Sequence, residues 1–281
     1  MTSTNAATVV AALLCITPAV HAQTREGFAT VPGARLHYRD SGGAGTPVIF
    51  LHAATGNCES WEYQIPAFTA AGYRVITYDR RGWGHSTVEQ GTPPAWTATG
   101  DLLALADQLR LDRFHLIGTA LGGFVAFDFA ISSPDRLRSL VIASSIGGLQ
   151  DQQLLDLGRR LRPKEFEALP PEIRELGPEY RAANPEGVRR WLGYERNSAH
   201  PGSPPTPLKN RLTLALIETI RTPALLLTGD ADLYAPPAVQ HMFAAHMSQP
   251  ETIVLPATGH NAYWEMPAAF NSSILTFLAK H

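Results

Sequence analysis

A short glycine-containing segment between two apolar stretches constrains the fold of this chain most. Gly118-Thr119-Ala120-Leu121-Gly122 follows the strand-like Phe114-His115-Leu116-Ile117 and leads into Gly123-Phe124-Val125-Ala126-Phe127, which favours a helix. Gly118 and Gly122 leave room for a close strand–helix approach, which pushes the side chain of Ala120 out of the sheet. The pattern is G-x-S-x-G with alanine in place of serine. A methyl group cannot attack a carbonyl, so the chemistry of the chain depends on Ala120.

Strand-like and helix-like segments alternate along most of the chain. A hairpin is predicted around Pro32-Gly33, and apolar repeats at helical spacing precede the glycine-containing segment. The predicted strands are Phe28–Val31, Arg35–Arg39, Val48–Leu51, Tyr73–Tyr78, Phe114–Ile117, Leu137–Ala143, Ala224–Thr228 and Thr252–Leu255. The predicted closing helix is Ala268–Lys280. This alternation predicts an α/β fold with a mostly parallel, twisted sheet and helices on both faces.

One long stretch interrupts the alternation. Residues 147–221 have no strand pattern, and prolines divide their helical segments. We interpret this stretch as a helical cap inserted into a core that comprises residues 23–146 and 222–281. Long insertions at strand ends usually shape a binding site.

The N-terminal segment differs from the rest of the chain. Residues 1–22 contain no Lys, Arg, Asp or Glu, and an apolar run precedes small residues around Ala22. This pattern predicts a cleaved signal peptide and a periplasmic or secreted protein, although the basic start typical of such leaders is missing. The alternative is a disordered or mis-started N-terminus. The apolar run is too short to span a membrane, and a net charge of −2 gives no attraction to nucleic acid.

Four polar or glycine-containing segments follow predicted strands, where reactive groups gather in open α/β sheets. They include the Ala120 segment, Leu51-His52-Ala53-Ala54, Thr228-Gly229-Asp230-Ala231-Asp232 and Thr258-Gly259-His260. Their order along the chain, together with Asp79-Arg80-Arg81-Gly82-Trp83-Gly84-His85-Ser86, resembles the α/β-hydrolase superfamily. The resemblance extends from about Phe28 to the C-terminus. It implies an α/β-hydrolase fold with a cap and a Ser-His-Asp type of site that lacks its serine.

The resemblance also implies a role for each residue of the site. His260 corresponds to the general base, and Asp232 to the acid that orients it, with Asp230 as the competing acid. The oxyanion hole would consist of the backbone amides of Ala54 and Leu121, supported by His52.

The aromatic residues Trp191, Tyr234 and Tyr263 are predicted to line an apolar pocket for a small-molecule substrate, an ester or a lactone. No metal or organic cofactor is expected. His241 and His246 lie five positions apart without a third ligand nearby, so they do not predict a metal site.

Three explanations of Ala120 remain open. The chain can be a serine hydrolase, of carboxylesterase or lactonase type, that a Ser→Ala substitution has inactivated. It can be a natural serine-less hydrolase in which His260 and Asp232 activate water, as the resemblance to aminoacrylate hydrolases with alanine in the elbow suggests. It can also be a protein that binds a small molecule without turnover. Carbon–carbon bond hydrolases share the fold, as do the dehalogenases and epoxide hydrolases that carry aspartate at this position, so they remain alternatives.

Overall fold

The computed structural model describes residues 24–89, 95–203 and 205–281, so the predicted leader over residues 1–22 lies outside the described part. Nine strands form one sheet in the described residues. They are β1 (Arg25–Val31), β2 (Ala34–Asp40), β3 (Pro47–Leu51), β4 (Arg74–Tyr78), β5 (Thr87–Val88), β6 (Phe114–Thr119), β7 (Leu137–Ala143), β8 (Ala224–Gly229) and β9 (Glu251–Leu255).

The sheet confirms the predicted fold class. Its strand order is β1-β2-β4-β3-β6-β7-β8-β9, with the short β5 paired to β2. The β1–β2 hairpin is antiparallel, as are the β2–β4 and β2–β5 pairs. The remaining pairs, β4–β3, β3–β6, β6–β7, β7–β8 and β8–β9, are parallel. All parallel strands therefore end at the same edge of the sheet, where the predicted site residues follow them.

Helices cover both faces of the sheet. Outside the predicted cap they are α1 (Gln64–Ala70), α2 (Ala98–Gln108), α3 (Leu121–Ser132), α9 (Pro237–Ala244), α10 (Ala262–Glu265) and α11 (Pro267–Leu278). Alternate residues of β3 face opposite sides: Ile49 joins the core that includes α2 and α3 residues, and Phe50 joins the core that includes α1 and α11 residues. A strand buried on both faces has to be apolar throughout, which explains the continuous apolar run that the sequence shows.

Between β7 and β8 the described residues form helices and turns without a strand. The helices are α4 (Gln152–Leu161), α5 (Pro171–Glu175), α6 (Pro178–Ala183), α7 (Pro185–Arg196) and α8 (Leu214–Ile217). Prolines begin α5, α6 and α7, where the missing amide hydrogen would have no partner within the helix. Three of the prolines that divide the sequence pattern are thus helix starts.

Across the three described ranges, the structure contains no helix with both the length and the apolar character needed to cross a membrane.

Candidate active site

The turn between β6 and α3 holds Ala120 in a strained backbone conformation. Its φ and ψ angles are 49° and −117°, a region that residues other than glycine rarely occupy. The Ala120 amide donates to the carbonyl oxygen of Ala143 (3.0 Å), and the Ala120 carbonyl accepts from Ser145 Oγ (2.7 Å). The end of β7 and the residue two positions after it therefore fix the turn. The structure places Ala120 in the wall of a cavity.

Close packing explains the glycines of this turn. A Cβ atom added to Gly122 would lie 2.2 Å from the carbonyl oxygen of Leu51, and one added to Gly118 would lie 2.5 Å from the carbonyl oxygen of Gly122. Both distances are far below van der Waals contact. Only glycine at these positions lets α3 start directly above the ends of β3 and β6.

His260 and Asp232 form a buried hydrogen-bonded pair at the same edge of the sheet. His260 Nδ1 lies 2.9 Å from both carboxylate oxygens of Asp232. Asp232 Oδ1 also accepts from the amides of Tyr234 (2.8 Å) and Ala235 (2.9 Å), and Thr228 Oγ1 donates to Oδ2 (3.2 Å). These contacts orient the carboxylate, which in turn orients the imidazole ring so that Nε2 is available to the cavity.

The electrostatics of the pair favour a charged His260 at neutral pH. Burial opposes the charge, but the adjacent Asp232 carboxylate outweighs it and raises the pKa of His260 to about 8. Burial likewise opposes the charge on Asp232, yet the charge of His260 and the hydrogen bonds from His260 and two amides lower the pKa of this carboxyl. The competing acid, Asp230, accepts only a long bond from the amide of Thr258 (3.4 Å) and does not contact His260.

The predicted oxyanion donors lie in the same cavity wall as Ala120. Leu121 is the first residue of α3, so its amide has no partner within the helix. Ala54 lies in the loop after β3, where His52 Nδ1 is 2.7 Å from the carbonyl oxygen of Ala53. His52 Nε2 accepts from the amide of Arg80 (3.1 Å), which leaves the proton on Nδ1.

Burial and the nearby Arg80 lower the pKa of His52 to about 3, so this ring stays neutral. His52 is fully buried, and its contacts hold the loop that carries Ala54. It is a positioning residue outside the cavity wall.

A cavity of about 290 Å³ brings these groups together. The lining residues are Ala53, Ala54, Thr55, Ala120, Leu121, Phe124, Ser144, Ser145, Ile146, Arg162, Glu175, Tyr234, Ala235 and His260. Most of this wall is apolar, and its volume suits a small molecule. Two buried hydroxyl groups in it, Thr55 Oγ1 and Ser144 Oγ, have no hydrogen-bond partner among the described residues.

Only one of the three predicted pocket aromatics contributes to the cavity. Tyr234 lines it, and its ring centroid lies 4.5 Å from that of His260. Trp191 and Tyr263 are instead packed in the core on the α1/α11 face of the sheet, each with 1% of its surface exposed. The prediction for these two residues is therefore corrected: their aromatic surface packs against neighbouring side chains, Trp61 in the case of Tyr263 (4.7 Å between ring centroids).

Two charged residues of the cavity were not found from the sequence. Glu175 is the last residue of α5, and Arg162 follows α4, so both come from the segment between β7 and β8. Nothing in the local sequence distinguishes them from the other Glu and Arg residues of that segment. Their proximity to His260 depends on how the helices fold back over the sheet, which no short motif encodes.

One further group of possible ligand atoms lies outside this cavity. His37 Nδ1, Cys58 Sγ and a carboxylate oxygen of Asp79 lie within 4.8 Å of one another, and all three residues are buried. The Asp79 carboxylate already accepts from His37 and from the amides of Cys58 (2.7 Å) and His85 (2.9 Å). These bonds hold together two loops next to the sheet, which accounts for the cluster structurally.

Comparisons with known proteins identify the family of this chain. Residues 48–273 match the profile of the Alpha/beta hydrolase family, so the chain belongs to that family and has its fold. The family resemblance inferred from the sequence is thereby confirmed, and so is the α/β-hydrolase fold.

Several of the proteins that this chain resembles are hydrolases. The 2-hydroxy-6-oxononadienedioate/2-hydroxy-6-oxononatrienedioate hydrolase of Burkholderia vietnamiensis is 28% identical, over 88% of this chain and 91% of that protein. A thermophilic esterase from Thermogutta terrifontis is similar in structure, with a TM-score of 0.70 and 25% identity over 92% of this chain and 99% of that one. A hydrolase from Pseudomonas aeruginosa has a TM-score of 0.71 and 27% identity, over 90% and 98% of the two chains.

Proposed function

We propose that this protein hydrolyses a small, largely apolar carboxylic ester or lactone, and that His260 and Asp232 activate the attacking water directly. The observation that carries the proposal is a buried imidazole, oriented by a carboxylate, in one cavity with Ala120 and with the residues that carry two candidate oxyanion donors. The esterase from Thermogutta terrifontis and the Burkholderia hydrolase support hydrolysis as the reaction class.

His260, Asp232 and the two backbone amides supply every protein group that the attack of water on the substrate needs. The Ala120 side chain ends at Cβ, so a water oxygen can occupy the place where a serine hydroxyl would stand. His260 Nε2 accepts a proton from this water as it attacks the substrate carbonyl. The amides of Ala54 and Leu121 stabilise the developing oxyanion, and the Asp232 carboxylate stabilises the imidazolium.

Two alternatives make different predictions for the unmodified protein. If Ala120 simply inactivates a serine hydrolase, the remaining rate is the residual of binding and oxyanion stabilisation, and it does not require His260. If the protein only binds its ligand, the ligand is recovered unchanged. Direct water activation is favoured because a carboxyl group, that of Glu175, also lies in the cavity wall, where a serine-based mechanism has no need of it.

The experiment compares the unmodified protein with His260→Ala on short-chain aryl esters and lactones. General base catalysis contributes about 10²–10⁴-fold, so we expect a loss of that size in kcat/KM. His246→Ala is the matched control, because His246 is half-exposed and contacts Glu218 on the surface. A hydrolysis rate that survives His260→Ala would contradict the proposal.

We further propose that residues 1–22 are removed on export and that the protein acts in the periplasm or outside the cell. The charge-free apolar run followed by small residues before Gln23 supports this. N-terminal sequencing of the protein from its native host should begin near Gln23. A mature protein that retains residues 1–22 would contradict the proposal.

A further inference from the structure

Glu175 occupies an unusual position between the helices that follow β7 and the His260 loop. Its backbone carbonyl oxygen accepts hydrogen bonds from the amides of His260 (2.9 Å) and Asn261 (3.3 Å). Its side chain carboxyl accepts from Asn261 Nδ2 (3.0 Å) and lines the cavity. Only 7% of the residue surface is exposed. A carboxyl group is thus held beside the catalytic imidazole, at a fixed place, in a mostly apolar wall.

We propose that Glu175 is the general acid of this site and protonates the leaving oxygen of the substrate. The inference rests on the proposed function, since it assigns the second proton transfer of the same hydrolysis. A neutral carboxyl group that reaches the cavity can donate a proton there, whereas the side chain carboxylate of Asp232 is occupied by His260, two amides and a hydroxyl.

The surroundings of Glu175 shift its pKa upward, which favours the protonated form. Burial raises the pKa of this carboxyl; the charge of His260 and the hydrogen bond from Asn261 oppose this effect. Asp232 raises the pKa further, and Arg174 lowers it. The other ionisable groups that face it are Tyr234 and Tyr263, and Arg162 lies in the same cavity wall.

The proton balance is complete without any co-reactant. Water attacks the carbonyl carbon, and His260 takes one of its protons. When the bond from carbon to the leaving oxygen breaks, that oxygen takes the proton of Glu175. The Glu175 carboxylate then recovers a proton as His260 loses one, so the net reaction is an ester and water giving an acid and an alcohol.

Glu265 provides a natural comparison, because it is a second buried glutamate beside the His260 loop. Its carboxylate accepts from the amides of Gly177 (2.8 Å), Gly259 (2.9 Å) and Asn261 (3.2 Å). It does not line the cavity. Glu265 therefore has a structural role, and replacing it should affect all substrates alike.

The test compares Glu175→Gln on esters of one acid with different leaving groups. Nitrophenolate leaves without a proton, whereas an alkanol must be protonated as it leaves. We expect Glu175→Gln to lower kcat/KM for the alkyl ester by about 100-fold or more, and for the nitrophenyl ester by less than about threefold. Glu265→Gln should lower both rates by the same factor. Equal losses on both esters with Glu175→Gln, or no loss, would overturn the assignment.

A failure of the proposed function is distinguishable from a failure of this inference. If His260→Ala abolishes hydrolysis of the nitrophenyl ester and Glu175→Gln shows no leaving-group dependence, only the role of Glu175 is wrong. If hydrolysis is absent, or His260→Ala leaves it unchanged, the proposed function itself fails. Should Glu175→Gln not fold, the unmodified protein provides the answer: acid assistance makes its rate depend only weakly on the leaving group, and a steep dependence contradicts it.

Discussion

The methyl group of Ala120 lies on a turn whose backbone is strained. A φ of 49° and a ψ of −117° cost free energy, on the order of 1–3 kcal/mol. The surrounding hydrogen bonds have to offset this cost to keep the turn in this conformation. This geometry presents the side chain of residue 120 to the cavity that His260 also lines. The turn is therefore arranged for a reacting group even though alanine supplies none.

Restoring the hydroxyl should consequently create a covalent route. We expect Ala120→Ser to raise kcat/KM for aryl esters by about 10³-fold or more and to release a burst of nitrophenol equal to the number of sites. Rapid mixing with a nitrophenyl ester measures both. Thr119→Ser is the control, because residue 119 is buried at the end of β6 and does not line the cavity. A folded Ala120→Ser protein without a burst would show that the turn does not aim residue 120 at the base.

His260 sets the pH dependence of the reaction. A general base has to be neutral, and the Asp232 carboxylate holds the pKa of His260 at about 8. With a nitrophenyl ester, whose leaving group needs no acid, the rate in the unmodified protein should therefore rise with pH through about 8 and then level off. Asp232→Asn removes the charge that raises this pKa, so the rise should move to lower pH while the maximum rate falls. A profile that stays flat between pH 6 and about 9 would argue against His260 as the base.

Some of these residues could be predicted from the sequence because short motifs place them. His260, Asp232 and Ala54 each lie in the loop after a strand, and the ends of parallel strands meet at one edge of the sheet. Glu175 and Arg162 could not be predicted, because their positions depend on contacts between distant elements. Trp191 and Tyr263 were assigned to the pocket since they are large and near it in sequence, but apolar rings are more often buried in the core.

At the scale of elements, the approach of α3 to the sheet determines the geometry of the turn. The carbonyl oxygen of Leu51 lies against Gly122, so the end of β3 and the start of α3 touch without an intervening side chain. The same contact brings the Ala54 loop after β3 next to the amide of Leu121. A displacement of α3 would separate the two oxyanion donors and move residue 120 away from His260.

Gly122→Ala tests this contact. Its Cβ would lie 2.2 Å from a backbone oxygen that cannot rotate away, so we expect a loss of about 1–3 kcal/mol in unfolding free energy and a fall in activity. Gly193→Ala is the matched control. Gly193 lies within α7 with no atom within 4 Å of an added Cβ, so alanine there should stabilise the protein by up to about 1 kcal/mol. Urea unfolding of both variants measures the difference, and equal stabilities would contradict the packing explanation.

For the molecule as a whole, buried ionisable groups make stability depend on pH in two opposing ways. The pKa of Asp79 is lowered: burial acts against this, but the hydrogen bonds from His37 and from the amides of His85 and Cys58 prevail. The stabilisation from Asp79 is present above the unfolded pKa of about 3.9 and is lost as the pH falls through the lower folded value. Acid should therefore unfold the protein by protonating carboxylates of this kind.

Glu265 and His260 act in the opposite direction. Burial raises the pKa of Glu265 to about 7, and the interaction with Asp232 raises that of His260 to about 8, so the folded state holds more protons than the unfolded chain between about pH 4.3 and 8. By linkage, stability falls as the pH rises through this range, with Glu265 contributing up to about 3 kcal/mol.

We therefore expect maximum stability in mildly acidic solution, near about pH 5, and a lower thermal midpoint at pH 8.5 than at pH 5.5. Glu265→Gln should lower the midpoint at both pH values, because one neutral carbonyl oxygen replaces a carboxyl group that accepts from three amides, and it should make the difference between the two smaller. Glu251→Gln, which alters a half-exposed ion pair with Lys280, is the control and should leave the difference unchanged. Calorimetry at the two pH values decides the matter, and a midpoint that rises from pH 5.5 to 8.5 would contradict the assignment of buried, protonated Glu265.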